Sequence, residues 1–378
     1  MYQIQSIRLI PVALPLLNHF VTAQAQLVKR PLTLVEMTVW DTSANTMVTG
    51  YGEVQSFSTP NYASETQNSS LGAIEKWLGP HLLGKSIVSP QEFETQLEQK
   101  IPYYSFAKAG LALAFWDCIG KLKKQSLAQM LGGQSSTVAV GIAIGQQDTW
   151  TNTTEAVISA IEEGYSRIKL KISGQDWHLN ELIELINHFP NQNFSLDANA
   201  SLSWEQGIAL QKLPQNVNFV EQPFANGDFI EHAHLQKKLT IPLSLDESVN
   251  QLTDVRTMIA CHSAQLLTLK IGKIGGLLAA QKAIELLKQS QLQAWVGGMF
   301  TSGLGRSADL ALASCLPNAY PADISDTNRY FQYDLIQEKL TVQQGNIAVP
   351  QKPGLGIRIN WRNVSKAQCS SEIKINGT

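Results

Sequence analysis

The chain has 378 residues, 44% of them hydrophobic and 16% charged, with a formal net charge of -2. That length carries a large core and more than one ordinary domain, and the mix excludes disorder. The near-neutral charge, without any basic patch interleaved with aromatics, argues against nucleic acid or an anionic membrane as a partner.

The opening residues MYQIQSIRLIPVALPLL lack the basic start and unbroken apolar run of a signal peptide. Pro11 and Pro15 interrupt this stretch, and no apolar run approaches the roughly 20 residues of a membrane span. Cys118, Cys261, Cys315 and Cys369 are scattered, with neither a C-x-x-C pair nor metal spacing. They read as thiols in a reducing cytosol, so a cytoplasmic protein is expected.

QIQSIRLIPVAL and TLVEMTVWD alternate like antiparallel strands, with Gly50, Gly52 and polar residues separating them from the helical segment beyond. From about Ser64 to Lys124 the apolar spacing becomes helical and ends in the buried-looking GLALAFWDCIGKL. Strands succeeded by helices predict an α+β domain over residues 1–125. Gly132-Gly133-Gln134-Ser135-Ser136 reads as a linker.

Over residues 126–335 short β-rich runs alternate with helical stretches: TVAVGIAI, SRIKLKI, NFSLD, VNFVE, IPLSLD, QLLTLK and LQAWV. Ser203 with Gln206 forms a capping box at one helix start, and Asn152 with Glu155 resembles another. So many βα units predict an α/β barrel; an open doubly wound sheet is disfavoured because no G-x-G-x-x-G follows the first strand. Residues 336–378, including KLTVQQGNIAVPQKPGLGIRIN, read as strand, turn and Pro/Gly-rich loop packing back on the N-terminal domain. The polar tail after about Asn363 is expected to be mobile.

Lys171, Asp197, Glu221, Asp246 and Lys270 stand at the ends of successive strands, 26, 24, 25 and 24 residues apart. Each step is about one βα unit, so five strands deliver one charged group apiece to the rim where barrel active sites lie. Three carboxylates converging there would repel and protonate unless a cation sat among them. An oxygen-only set suits Mg²⁺ or Mn²⁺ better than zinc. Any one of the acids alone would read as a helix N-cap. In RIKLKI the alternation puts Lys169 and Lys171 on one face and three aliphatics on the other, which turns both lysines into the barrel. A lysine, with an ordinary pKa of about 10.4, becomes a base only near other cations, and Lys169 and a metal would supply them to Lys171.

K-x-K in RIKLKI, D-A-N in SLDANA, E-Q-P in FVEQPF, D-E-S in SLDES and K-x-G-x-I-G-G in LKIGKIGGL resemble the muconate-lactonizing subgroup of the enolase superfamily. The stretch WVGGMFTSGLGRSADLALAS, with PADIS and RYF after it, is similar to the branch of o-succinylbenzoate synthases and N-succinylamino acid racemases. The resemblance implies a modified TIM barrel, (β/α)7β, under an N-terminal α+β capping domain. It implies Mg²⁺ on Asp197, Glu221 and Asp246, with Lys171 and Lys270 as catalytic lysines and Lys169 beside them. The cap would supply a specificity loop over residues 16–31 and Glu53 near the pocket. Asn199 of D-A-N, Gly298, Met299 and Ser302 would meet the substrate, the free N–H groups after Ser302 receiving a carboxylate.

The branch usually has an acidic residue where Thr301 stands. It often has Arg, above all in racemases, where Lys273 stands. The latter shifts the expected activity from racemisation to dehydration, a carbon–oxygen lyase acting on a small carboxylate, possible as a homo-oligomer. Racemisation, dipeptide epimerisation and muconate cycloisomerisation are the alternatives within the scaffold. An aldolase with a Schiff-base lysine would leave the three carboxylates unexplained, and a non-enzymatic binding protein would not need all five rim residues.

Overall fold

The computed structural model describes residues 1–21 and 26–376. Strands β1 (Tyr2–Val21), β2 (Gln26–Asp41) and β3 (Thr46–Val54) form an antiparallel meander, with Ile7 opposite Met37 and Glu36 opposite Tyr51. The short β4 (Ser86–Ile87) pairs with the start of β1.

β3 is a strand that the sequence does not announce, because Gly50 and Gly52 look like a break. They are glycine for a different reason. The helix Ser105–Lys123, buried from Phe106 to Gly120, lies directly on this strand. A Cβ on Gly52 would sit 2.1 Å from the Gly110 carbonyl oxygen, and one on Gly50 2.3 Å from that of Ala114. The helix starts where Glu65 accepts the Phe106 and Ala107 N–H groups, each at 2.9 Å, which favours a carboxylate at that positive end.

The barrel comes next along the chain. β5 (Thr137–Ala139) precedes seven parallel strands: β6 (Gly141–Ile144), β7 (Arg167–Lys171), β8 (Asn193–Asp197), β9 (Val217–Glu221), β10 (Leu243–Leu245), β11 (Leu266–Leu269) and β12 (Gln293–Val296). They lie side by side in chain order as one curled sheet, with helices in the crossovers, as parallel connections require. Residues 322 and 323 span the gap between its edges. The Asp323 N–H donates to the Val296 carbonyl at 3.0 Å, and the Ala322 carbonyl accepts from Gly141 at 2.8 Å. The helix Trp204–Ala209 opens with the Ser203/Gln206 capping box. The helix Trp150–Glu162 is instead capped one turn earlier than expected, by the Thr149 hydroxyl accepting from Asn152 N–H at 3.1 Å.

β13 (Asn346–Ala348) pairs with β5 at the barrel base rather than with the N-terminal sheet. The tail after Asn363, expected to be mobile, is built into the fold. The helix Trp361–Ala367 buries Val364 and Ala367, and β14 (Ile373–Asn376) adds to β1, with Ile7 opposite Ile375. Polarity misled here because one side of an edge strand faces water. β14 covers only Ser6 to Leu9, so Pro11 and Pro15 fall farther along β1, where its outer edge needs no donor to that ladder. Among the described residues no helix is long and apolar enough to cross a membrane.

Candidate active site

The rim residues arrive by register. Lys171 on β7 lies opposite Asp197 on β8, which lies opposite Glu221 on β9; Asp246 and Lys270 follow β10 and β11 directly. Together with Lys169, Asn199, Gly298, Met299 and Asp323 all of these except Glu221 wall a cavity of about 130 Å³ at the C-terminal ends of the strands. Phe57 and Tyr62 of the N-terminal domain roof it.

Lysines interleave with the carboxylates. Lys171 Nζ donates to Asp197 Oδ2 at 2.5 Å and to Asn199 Oδ1 at 2.8 Å. Asn199, left-handed at φ 42°, donates its own amide to Glu247 Oε1 at 3.0 Å. Lys169 Nζ reaches Glu221 Oε2 at 2.9 Å, Asp197 Oδ2 at 3.3 Å and Asp323 Oδ2 at 2.5 Å. On the other side Lys270 Nζ donates to Asp246 Oδ2 at 2.6 Å and to the Tyr62 hydroxyl at 2.9 Å, while that hydroxyl donates to Asp246 Oδ1 at 2.8 Å. Lys273 Nζ also reaches Asp246 Oδ1 at 2.5 Å, and it donates to the Asp246 backbone carbonyl.

These contacts divide the acids. Burial pushes the Asp246 carboxyl up, but Lys270 and Lys273 outweigh it and hold it far below the ordinary range. Asp197 is lowered in the same way, against burial, by Lys171 and Lys169. Glu221 goes the other way: burial and the Asp197 charge raise it to about 8, with Lys169 opposing. Its Oε1 is buried without a partner. Among the described residues no three acids, histidines or cysteines are gathered tightly enough to hold an ion as they stand, because lysine ammoniums lie between them. The orphaned Glu221 oxygen, beside two further carboxylates, is nevertheless what a divalent cation fits, since it supplies the counter-charge the acid lacks. Lys270 is held above its ordinary value: burial opposes, but Asp246, Glu221 and Glu247 prevail.

Two expected contacts lie outside the cavity wall. The Ser302 hydroxyl donates to Glu53, joining cap to barrel. The first two N–H groups after Ser302 are already taken: Gly303 donates to Asp334 Oδ1 at 2.8 Å, and Leu304 to Ser302 Oγ at 3.2 Å. Of the specificity loop expected over residues 16–31, residues 22–25 lie outside the described residues. From its far end the fully buried Arg30 donates to the Met299 and Phe300 carbonyls at 3.2 and 3.1 Å, so that segment holds the pocket wall from behind.

Sequence reasoning missed Tyr62, which nothing in its neighbourhood marks. It also missed Asp323, whose Oδ1 takes Arg167 Nη2 at 2.6 Å and whose carboxyl Lys169 and Arg167 hold down, against burial, at about 2. The signal for Asp323 was its place in PADIS, a stretch noted for resemblance and not for charge.

Residues 8–132 match the mandelate racemase / muconate lactonizing enzyme N-terminal domain, and residues 152–363 the enolase C-terminal domain-like family. The chain belongs to the enolase superfamily and is an enzyme of it. It is 36% identical to an o-succinylbenzoate synthase of Enterococcus faecalis, over 96% of this chain and 97% of that one. It is 31% identical to an N-succinylamino acid racemase of Thermus thermophilus, over 82% of this chain and 84% of that one. The solved structure of a Listeria innocua member of the superfamily superimposes with a TM-score of 0.93 at 32% identity, covering 100% of both chains.

Proposed function

We propose that this enzyme is an o-succinylbenzoate synthase. It would convert 2-succinyl-6-hydroxy-2,4-cyclohexadiene-1-carboxylate to 2-succinylbenzoate and water, in menaquinone biosynthesis. The observation that carries the reading is the pair of lysines on opposite sides of one carboxylate-lined pocket, together with synthase relatives matched over nearly the whole chain. Asp197, Glu221 and Asp246 are the residues that would hold a divalent cation, Mg²⁺ or Mn²⁺. The chemistry such an ion supplies is Lewis-acid stabilisation of the charge left when a carbon next to a carboxylate loses its proton.

Lys171 takes that proton from C1 and returns it to the hydroxyl leaving C6 on the same face. The C1–H and C6–O bonds break, the C1–C6 double bond forms, and the ring becomes aromatic without redox change. Lys270, fixed as a cation by Asp246 and Tyr62, stabilises the anion from the opposite face. Asn199 helps orient Lys171 alongside Asp197, and Gly298 and Met299 shape the wall. The same reading sets the enzyme in a reducing cytosol, in keeping with its four unpaired thiols.

Racemisation of N-succinylamino acids is the second reading, since a lysine stands on either face. It requires Lys270 to exchange protons, and Lys270 here is tied to an acid that it shares with Lys273. Dehydration should therefore far exceed racemisation, measured as kcat/KM for both reactions side by side. Lys273→Arg, which substitutes a planar fork for a point charge, should raise racemisation more than dehydration. Equal wild-type efficiencies, or no gain in the variant, would overturn the assignment.

A further inference from the structure

Three arginines are buried among the described residues, and two are saturated. Arg30 donates to five backbone carbonyls. Arg167 bonds Pro321 O, Ser195 and Asp323. The third, Arg306, stands on the first turn of the helix Gly303–Ala313 and lines the reaction pocket. It is only 4% exposed, yet its Nε and Nη1 have no hydrogen-bond partner among the described residues. Asp309, three residues along, attracts it without hydrogen bonding to it, and burial keeps the Asp309 carboxyl up at about 7, a weak counter-charge. Thr301, on the preceding loop, brings none.

A guanidinium with two unpaired donors in a pocket wall is expensive to keep, and its planar shape suits a carboxylate's two oxygens. Apolar side chains line part of the same pocket: Met299, and Phe300 packed on Tyr330 at 4.7 Å between ring centres. Such surroundings strengthen a charged contact made there.

We propose that Arg306 receives a second carboxylate of the substrate, so that the pocket selects dicarboxylates. One end lies among the Lys171, Asp197 and Asp246 groups and the other on the Arg306 guanidinium. The inference rests on the proposed reaction, whose substrate carries a ring carboxylate and a succinyl carboxylate. It goes further in assigning the second to one residue, and it predicts that dehydration and racemisation substrates lose equally when that residue is changed.

Calorimetric binding to the Mg²⁺-loaded enzyme tests it, using 2-succinylbenzoate against 2-butyrylbenzoate, which lacks only the distal carboxylate. The wild type should prefer the dicarboxylate by roughly 10- to 100-fold, the worth of a charged hydrogen-bonded pair. Arg306→Met should erase the preference, chiefly by weakening the dicarboxylate, and Arg306→Lys should restore part of it. Thermal unfolding of Arg306→Met without ligand should show no loss of stability, whereas a purely structural arginine would show one.

A second pair, N-succinyl- and N-butyrylphenylglycine, separates the two claims. If the enzyme ignores succinylbenzoate but its preference for the N-succinyl compound vanishes with Arg306, the synthase assignment fails and the Arg306 site stands. If Arg306→Met keeps the preference within either pair, or the wild type shows none, the Arg306 site is overturned.

Discussion

The two lysines facing each other across the pocket sit four strands apart in the barrel and are held in unlike ways. Lys270 is boxed in: Asp246 and the Tyr62 hydroxyl accept hydrogen bonds from it, the Tyr62 ring lies 4.9 Å from its Nζ, and its side chain is 8% exposed. Among the described residues Lys171 hydrogen-bonds only to Asp197 and the amide oxygen of Asn199, and 14% of its side chain is exposed. Its neighbour Lys169 absorbs three carboxylates that would otherwise crowd it. A closely boxed cation and a less enclosed lysine are different tools. The barrel supplies both from equivalent strand positions by changing only what surrounds each, the cap's tyrosine on one side and a second lysine on the other.

The sharpest way to break this contrast is to remove each part. Chelating divalent ions, or Asp246→Asn, should abolish turnover, and full activity in excess chelator would sink the metal assignment. Lys171→Ala should lower kcat by roughly 10²–10⁴-fold or more, since one amine makes both proton transfers. Lys270→Ala should also fall by orders of magnitude, but Lys270→Arg, which keeps the cation, should recover more dehydration than Lys171→Arg. Equal recovery would erase the distinction. Tyr62→Phe removes one hydroxyl that bonds both Lys270 and Asp246, so a loss of about tenfold is expected, read in kcat more than in KM.

The smallest effect lies outside the pocket, at the same cap–barrel seam. The buried Glu94 of the cap accepts the Trp116 indole N–H at 2.7 Å and the Leu278 N–H, at a barrel helix start, at 3.0 Å. Burial raises its carboxyl to about 7 in spite of these bonds. The folded chain thus holds this proton more tightly than the unfolded one. The contribution to stability is full below the ordinary carboxylate value and declines as pH rises toward about 7. Glu94→Gln should flatten that part of the stability–pH curve, measured by denaturant unfolding at pH 5 and pH 8; an unchanged slope would refute it.

The even spacing of Lys171, Asp197, Glu221, Asp246 and Lys270 was legible because parallel βα units repeat at a nearly fixed length, and the alternation in RIKLKI told which face each lysine takes. Tyr62 was not legible, because it comes from another domain and its partners lie far along the chain. Asp323 was hidden for a related reason: the segment that closes the barrel is too short to show strand alternation. The N–H groups after Ser302 illustrate the opposite error. A helix start promises free donors, but the sequence does not reveal that Asp334 and Ser302 already use them. Burial by a partner element is likewise what made β3 and β14 unreadable, one through its glycines and the other through its polarity.

The pairing of β14 with β1 has a consequence for how the protein is made. β1 is synthesised before the barrel and β14 after it, so this outer edge of the cap sheet waits through the synthesis of the entire barrel before its neighbour exists. Contacts between such distant parts of a chain form slowly, and an open edge is a place where other chains can add. Nascent chains halted before residue 373 therefore carry a finished barrel and an unguarded sheet margin. The interval between the synthesis of the barrel and that of β14 is one in which this sheet margin can pair wrongly.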